Sequence, residues 1–382
     1  MNIAANYDVI IVGARAAGAA TAMLLARRGV RVLVVDRARY GTDTLSTHAL
    51  MRPAVIQLHR WGLIDAVRES GAPAIRQATF HYPDSSVSVP IAPTDGIEGL
   101  YAPRRTVLDR ILVDSARAAG ATVEFGVIVE TLQRDSSGRV RGIVARTEEG
   151  TMIAPRSGIV IGADGIRSVV AQAAGAETTR EATVDAAVYY GYFENVAASG
   201  YEWGYAPGLA AGFIPTNDGA VCVFVGGPTA RFRRDVQPDP LRGFHRILGD
   251  VSPGMLARVA GARQIGRLRG FAGVRGYYRK PWGRGWALVG DAGYFRDPIT
   301  THGISDAFRD AELLTRAIDG SSSFAEYEWI RDEVTREVFE LTGRIASYDW
   351  SMDELRSLIR GVSRAMKQET SLLQTLDDSA AA

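Results

Sequence analysis

The chain has 382 residues, 46% of them apolar, so at roughly 150 residues per domain it holds two or three units with ample core. Its 44 basic and 43 acidic residues leave a net charge of +1, which excludes the one-signed surface of a nucleic-acid binder. The single cysteine, Cys222, excludes an internal disulfide and a thiolate metal cluster; no histidine and carboxylate group has ligand spacing, so no metal is expected.

The N-terminal "MNIAANYDVIIVG" carries no basic stretch ahead of its apolar residues, and no run reaches the ~18 apolar residues of a membrane span. A cytoplasmic protein without stable membrane insertion is expected. Residues 7–12 form a β-branched run, Gly18–Arg28 favours helix, and "VRVLVVD" is a second apolar run: a β-α-β unit with parallel strands buried on both faces. Helical spacing follows over Pro53–Val67 and Val107–Ala119, with strand-like alternation over 79–91 between them. Strands flank the turn Ser136-Ser137-Gly138, and "SGIVIGADG" reads as one more buried strand and turn.

Residues 183–228 change character, with the period of two that suits antiparallel strands having one face toward a cavity; "GGPTARFRRDVQPDP" reads as a solvated connection. The first pattern returns in "GWALVGDAG" and a helix over Ile304–Ile318, which makes the nucleotide-binding unit discontinuous. Two helical stretches, 324–346 and 351–376, close the chain. The second carries the apolar stripe Leu355, Leu358, Ile359, Val362, Met366, Leu372, Leu373 and Leu376, expected to pack on the body or on a second subunit.

Three blocks carry chemistry. In "VGARAAGAAT", Gly13 permits a tight turn and Gly18 lets helix and strand approach, while the loop amides and the helix start offer positive charge to a phosphate. Arg15 stands where a second glycine is usual, so its side chain must project outward or fold over the ligand. Asp36 closes the next strand about 20 residues beyond the turn, the offset at which an acid meets a ribose. The second block is "GADGIRS", and the third is "ALVGDAGYFRDPITTHGISDAFRDA".

In this order and spacing the three blocks resemble the FAD-dependent monooxygenases of the para-hydroxybenzoate hydroxylase type, with their relatives among flavin dehydrogenases, prenyl (geranylgeranyl) reductases and halogenases, over roughly residues 7–320. The resemblance implies an α/β fold: a discontinuous Rossmann-like FAD domain (1–75, 100–180, 270–320), an inserted, mostly antiparallel substrate sheet (76–99, 181–269) and C-terminal helices (321–382). It assigns Gly13, Arg15, Ala16, Ala17 and Gly18 to the FAD pyrophosphate, and Asp36 with its neighbour Arg37 to the adenosine side. "RRTVLD" offers Arg105, or alternatively Arg104, as the flavin-side arginine. Val129 matches the residue whose backbone meets the adenine, Asp164 the acid shared by the FAD and reductant regions, and Asp291 the acid of the ribityl chain. Pro298, Gly303 and Ile304 would lie beside the isoalloxazine. A helix beginning near Gly303 would aim unpaired amides at the edge where a reduced flavin gathers negative charge.

Departures narrow the reading. Tyr294 follows Gly293 where histidine is frequent, and Ser305 replaces a frequent asparagine. Both tryptophans of the halogenase Trp-x-Trp-x-Ile-Pro run are missing from Ala210–Pro215, which disfavours halogenation. Of five histidines, His48 and His302 fall where the resemblance places the flavin. An unperturbed imidazole titrates near ~6.5, so either is a candidate proton relay, with plain hydrogen bonding as the alternative; His59, His81 and His245 are read as surface or core. Tyr190, Tyr192, Tyr205 and Phe213 line a pocket for an aromatic or polycyclic substrate, or else form plain core.

The resemblance thus implies an NAD(P)H-dependent monooxygenase, with NADPH or NADH as transient reductant, that passes one oxygen atom from a flavin hydroperoxide to a small organic substrate. The alternative is a flavin reductase or dehydrogenase acting on a carbon-carbon bond. A monomer or homodimer is expected.

Overall fold

A computed structural model describes residues 3–94 and 96–378 of the chain. The strand Asn6–Val12 and the strand Val32–Asp36 form in the two β-branched runs, and the helix Ala16–Arg27 connects them. They sit at the centre of a parallel ladder in the order Trp286–Leu288, Arg156–Gly162, Asn6–Val12, Val32–Asp36, Thr122–Phe125. Ile10, Ile11, Leu33 and Val34 are wholly buried, as a strand covered on both faces requires. The antiparallel strands Val127–Arg134 and Val140–Thr147 join the same sheet.

A second, seven-stranded sheet is antiparallel except for one pairing, between the strands Gln77–His81 and Tyr201–Ala206. Across it run the strands Arg263–Ala272, Ala186–Glu194, Val221–Pro228, Leu209–Pro215, Tyr201–Ala206, Gln77–His81 and Ser86–Pro90. One face looks onto the nucleotide-binding body; the other is covered by the helices Pro240–Val251 and Pro253–Ala260. The mixed α/β class matches the expectation.

Three local readings are corrected. The stretch Pro53–Val67 is two helices, Arg52–Arg60 and Ile64–Glu69, broken where Gly62 takes φ +73°. Residues 79–91 are a hairpin of two strands rather than one. The supposed solvated connection contains the helix Thr229–Asp235, because Phe232 is buried against Phe244's cluster and draws the arginine-rich segment onto the sheet.

The closing helices, Phe324–Ala346 and Met352–Asp378, pack against each other and the body. Leu355, Val362 and Leu373 of the apolar stripe are buried, and the side chain of Leu376 lies outside the described residues. Among the described residues no helix is long and apolar enough to cross a membrane.

Candidate active site

The three sequence blocks meet at close quarters. Gly13 has φ +106°, and a Cβ on it would lie 2.3 Å from the Ala163 carbonyl oxygen, so the first block presses on the second with no room for a side chain. A Cβ at Gly18 would lie 1.8 Å from the Gly13 oxygen. Gly290, at φ +58°, brings the third block against the first: its Cβ would be 2.9 Å from that of Ala17. The Tyr277 hydroxyl donates to the carbonyls of Asp291 (2.5 Å) and Ile166 (3.3 Å), joining third to second.

Arg15 sits at the N-cap of the helix Ala16–Arg27 and makes no side-chain cap. Its guanidinium donates to Asp109 at 3.0 Å and to the Thr42 hydroxyl at 3.0 Å. Asp109 also receives the Arg105 Nε–H at 2.9 Å, so one buried carboxylate holds two guanidinium groups. These contacts tie Arg15 to Thr42 and to the helix that carries Asp109.

Asp36 receives the amides of Ala14 and Ala38, each at 2.7 Å, while Arg37 is exposed. Val129 is buried, paired to Ala145 in the antiparallel ladder. Arg105 opens the helix Arg105–Ala118. Arg104 turns the other way, toward the second sheet, where its guanidinium lies 3.8 Å from the Tyr192 ring centre and reaches Asp43 at 3.0 Å. The Asp164 carboxylate is turned into the start of the helix Val169–Ala174, accepting from Ser168 Oγ and the Val169 amide. Burial pushes its acidity toward higher pH.

Asp291 differs. Burial, with the carboxylates of Asp306 and Asp310 nearby, pushes it up to about 7 against the pull of Arg105. Among the described residues no group donates a hydrogen bond to that carboxylate. The helix Gly303–Asp319 starts at His302 without a side-chain cap, and Ile304 is buried. Pro298 begins the short turn Pro298–Thr300 just before it. The one acid in the first turn, Asp306, is countered by Arg296 at 2.8 Å and Arg309 at 2.7 Å, so the positive end of the helix keeps its effect.

Neither histidine keeps the near-neutral titration the sequence reading expects. Burial, then the Arg104 charge, lowers His48 to about 3. Burial, then Arg296, lowers His302 to about 4. Both are neutral imidazoles at pH 7. The His302 Nδ1 lies 2.8 Å from the Thr300 carbonyl, which makes it the protonated nitrogen and leaves Nε2 as a buried acceptor without a partner. His48, at φ +49°, stacks on Tyr192 with ring centres 5.7 Å apart.

Between the loop 297–301 and the second sheet lies a small, mostly apolar cleft of about 20 Å³, lined among others by Val188, Phe224, Phe271, Asp297 and Tyr348. Strand register places Tyr190, Tyr192, Tyr205 and Phe224 on the sheet face that looks this way. Phe213 is corrected: it pairs with Glu202 on the opposite face and packs with Phe193 and Phe244 under the outer helices. A single run of alternating aromatics cannot tell which of the two apolar faces meets the cavity.

Sequence reasoning missed Asp109, Asp297, Tyr348 and Glu369. Asp109 had a signal, its position four residues after Arg105 on one helix face. Glu369 sits within the apolar stripe of the last helix, buried, and reaches Arg309 at 2.8 Å across 60 residues of sequence.

The site suits a dinucleotide: glycines clear the backbone path, a helix start offers uncapped amides, and Asp291 has an acceptor to spare for sugar hydroxyls. Residues 6–323 match the family described as the FAD binding domain, and the chain belongs to that family of FAD-dependent oxidoreductases. It is 29% identical to menaquinone reductase of Mycolicibacterium smegmatis over 341 residues, covering 81% of this chain and 76% of that protein. It is 26% identical to digeranylgeranylglycerophospholipid reductase of Methanocella arvoryzae, over 82% of this chain and 77% of that one. Among solved structures it is similar to the flavin-dependent brominase Bmp2, with TM-score 0.78 and 19% identity over 98% of this chain and 99% of that chain. PqsL of Pseudomonas aeruginosa, described as "a probable FAD-dependent monooxygenase", gives TM-score 0.75 and 23% identity over 94% of this chain and 100% of that chain. At those identities the structures share the fold.

Proposed function

We propose that the chain is an NAD(P)H-dependent FAD monooxygenase acting on a compact, largely apolar, aromatic or polycyclic substrate. The observation that carries the reading is the cleft itself. It lies between the Asp297–Thr301 loop and an apolar sheet face carrying Tyr190, Tyr192 and Phe224, and these walls suit an aromatic ring held away from water. FAD would be held by the turn Gly13 to Gly18, by Asp36, Arg105 and Asp291, by the Val129 backbone, and by Pro298, Gly303 and Ile304. Arg37, exposed, and Asp164, occupied as a helix cap, contribute less than the resemblance implies. Bound FAD would supply the redox chemistry, taking electrons from NADPH or NADH and passing activated oxygen to the substrate. The protein's part is position, exclusion of water, and the uncapped helix start at Gly303 that favours negative charge at the flavin's edge. A cytoplasmic monomer or homodimer belongs to the same reading.

A flavin reductase acting on a carbon-carbon bond is the second reading, supported by the two reductases whose sequences this chain resembles over about four-fifths of its length. Oxygen consumption coupled to NAD(P)H oxidation, with one oxygen atom gained by the product, supports monooxygenation. Turnover that proceeds equally well without oxygen supports the reductase.

A further inference from the structure

The far end of the parallel ladder carries a concentration of charge that the flavin reading leaves unused. The strands Asn6–Val12 and Arg156–Gly162 end beside the glycine turn. Where they begin, an open groove of about 440 Å³ is lined by Asn6, Tyr7, Asp135, Arg141 and Arg156 among others. At about 3.3 Å per strand residue, the groove lies roughly 20 Å from the turn at Gly13.

Around it stand five guanidinium groups. Arg134 donates to the carbonyls of Gly138 and Ala173, Arg139 to that of Gly158, and Arg284 to the Ser137 carbonyl and hydroxyl. These bonds fix the arginines in place and cancel none of their charge. Asp135 is the acid that lines the groove, and its oxygens are already occupied. Oδ1 accepts the Ser137 hydroxyl at 2.6 Å and the amides of Ser137 and Arg139 at 3.0 and 3.1 Å, while Oδ2 accepts Arg141 Nε–H at 2.9 Å. The Ser137 hydroxyl, then Arg141, hold its carboxyl well below the usual carboxylate range. The nearby Asp8 is taken up by Arg31 at 2.7 Å.

Asp135 thus orients Arg141 through Nε, and the two terminal nitrogens of Arg141 bond to none of the described residues. The exposed Arg156 forms no ion pair or side-chain hydrogen bond with any described residue. Planar forks with free donors, in a positive field that no neighbouring acid neutralises, match phosphate oxygens. The volume is that of a site for a small molecule and exceeds what one phosphate fills.

We propose that this groove binds a small molecule through a diphosphate group, with Arg141 and Arg156 as the contacts and Arg134, Arg139 and Arg284 supplying the field. The site is separate from the flavin turn and goes beyond the proposed function.

The probe is inorganic pyrophosphate, titrated by calorimetry at low salt into protein held in saturating FAD, so that the glycine turn is filled. Expected is one binding event, weakened tenfold or more in Arg156→Ser and in Arg141→Ser. Arg233→Ser, which removes the same charge from an exposed position on the helix Thr229–Asp235, should leave it unchanged. ADP in place of pyrophosphate tells the two sources apart: tighter binding assigns the diphosphate to a nucleotide, weaker binding to the free anion. No binding, equal binding by wild type and Arg156→Ser, an equal loss in Arg233→Ser, or an affinity no greater than that for sulfate overturns the proposal. Should Arg141→Ser fail to fold, Arg156→Ser decides, because that side chain holds nothing in place. A protein that takes up no FAD yet binds pyrophosphate through Arg156 contradicts the proposed function and supports the groove.

Discussion

Arg15 and Asp109 are 94 residues apart in sequence and meet at 3.0 Å. This pair explains how the Gly13–Gly18 turn accommodates a long cation at a glycine position: the side chain is tethered to the helix that also carries Arg105. Arg15→Gly is therefore expected to retain FAD, with a loss of about 1 kcal/mol in stability, since Arg105 still neutralises the carboxylate. Asp109→Ala strands two cations and should cost about 3 kcal/mol and weaken FAD binding. Thermal unfolding and flavin titration of both variants check the contrast; loss of FAD in Arg15→Gly would make the arginine a phosphate ligand.

Gly290→Ala tests the junction of the first and third blocks. The added methyl meets Ala17 at 2.9 Å and the residue must keep φ +58°. Destabilisation of about 1–3 kcal/mol is expected, along with weaker flavin uptake. Gly343→Ala, in the helix Phe324–Ala346, meets nothing within 4 Å, serves as the control and should be mild.

Two groups bend stability in opposite directions with pH. His48 and His302 have folded values near 3 and 4, below an unfolded value near ~6.5. The unfolded chain thus binds more protons over that window, and the ligand-free protein loses stability as pH falls from about 6.5 to 4. Asp291 is raised to about 7, so the folded chain binds the extra proton and stability falls as pH rises from about 4 to 7. Asp291→Asn should stabilise the ligand-free protein above pH 7, on the order of 2 kcal/mol, while lowering FAD affinity. Urea titrations across pH, compared between wild type, His48→Gln and Asp291→Asn, separate the two limbs. An unchanged neutral limb in Asp291→Asn would contradict the assignment.

The buried cluster of Arg296, Arg309, Asp306, Asp310 and Glu369 holds two cations and three acids. One acid is in excess, and burial raises Glu369, the member contributed by the last helix. Glu369→Gln keeps the shape and removes the surplus charge, so a change under about 1 kcal/mol is expected. Glu369→Ala leaves a gap and Arg309 short of a partner, and should cost about 2–3 kcal/mol. Equal losses in the two variants would show that Glu369 is ionised.

The chain order of strands and the three glycine blocks were legible because apolar runs and glycines act locally. What escaped the sequence depends on register and on distant partners. Phe213 shares its alternation with Tyr190 but lies on the other sheet face. Asp297 went unnoticed, because only its burial beside Asp185, which pushes its carboxyl up to about 6, sets it apart. The acidities of His48 and His302 follow from burial and from Arg104 and Arg296, which spacing cannot show.

The most direct measurement is the absorbance spectrum of the purified protein before and after incubation with FAD. The account predicts a bound flavin spectrum that Gly13→Ala abolishes, because a Cβ there would lie 2.3 Å from the Ala163 oxygen in the turn. A folded wild-type protein that stays colourless and does not alter the spectrum of added FAD would contradict it.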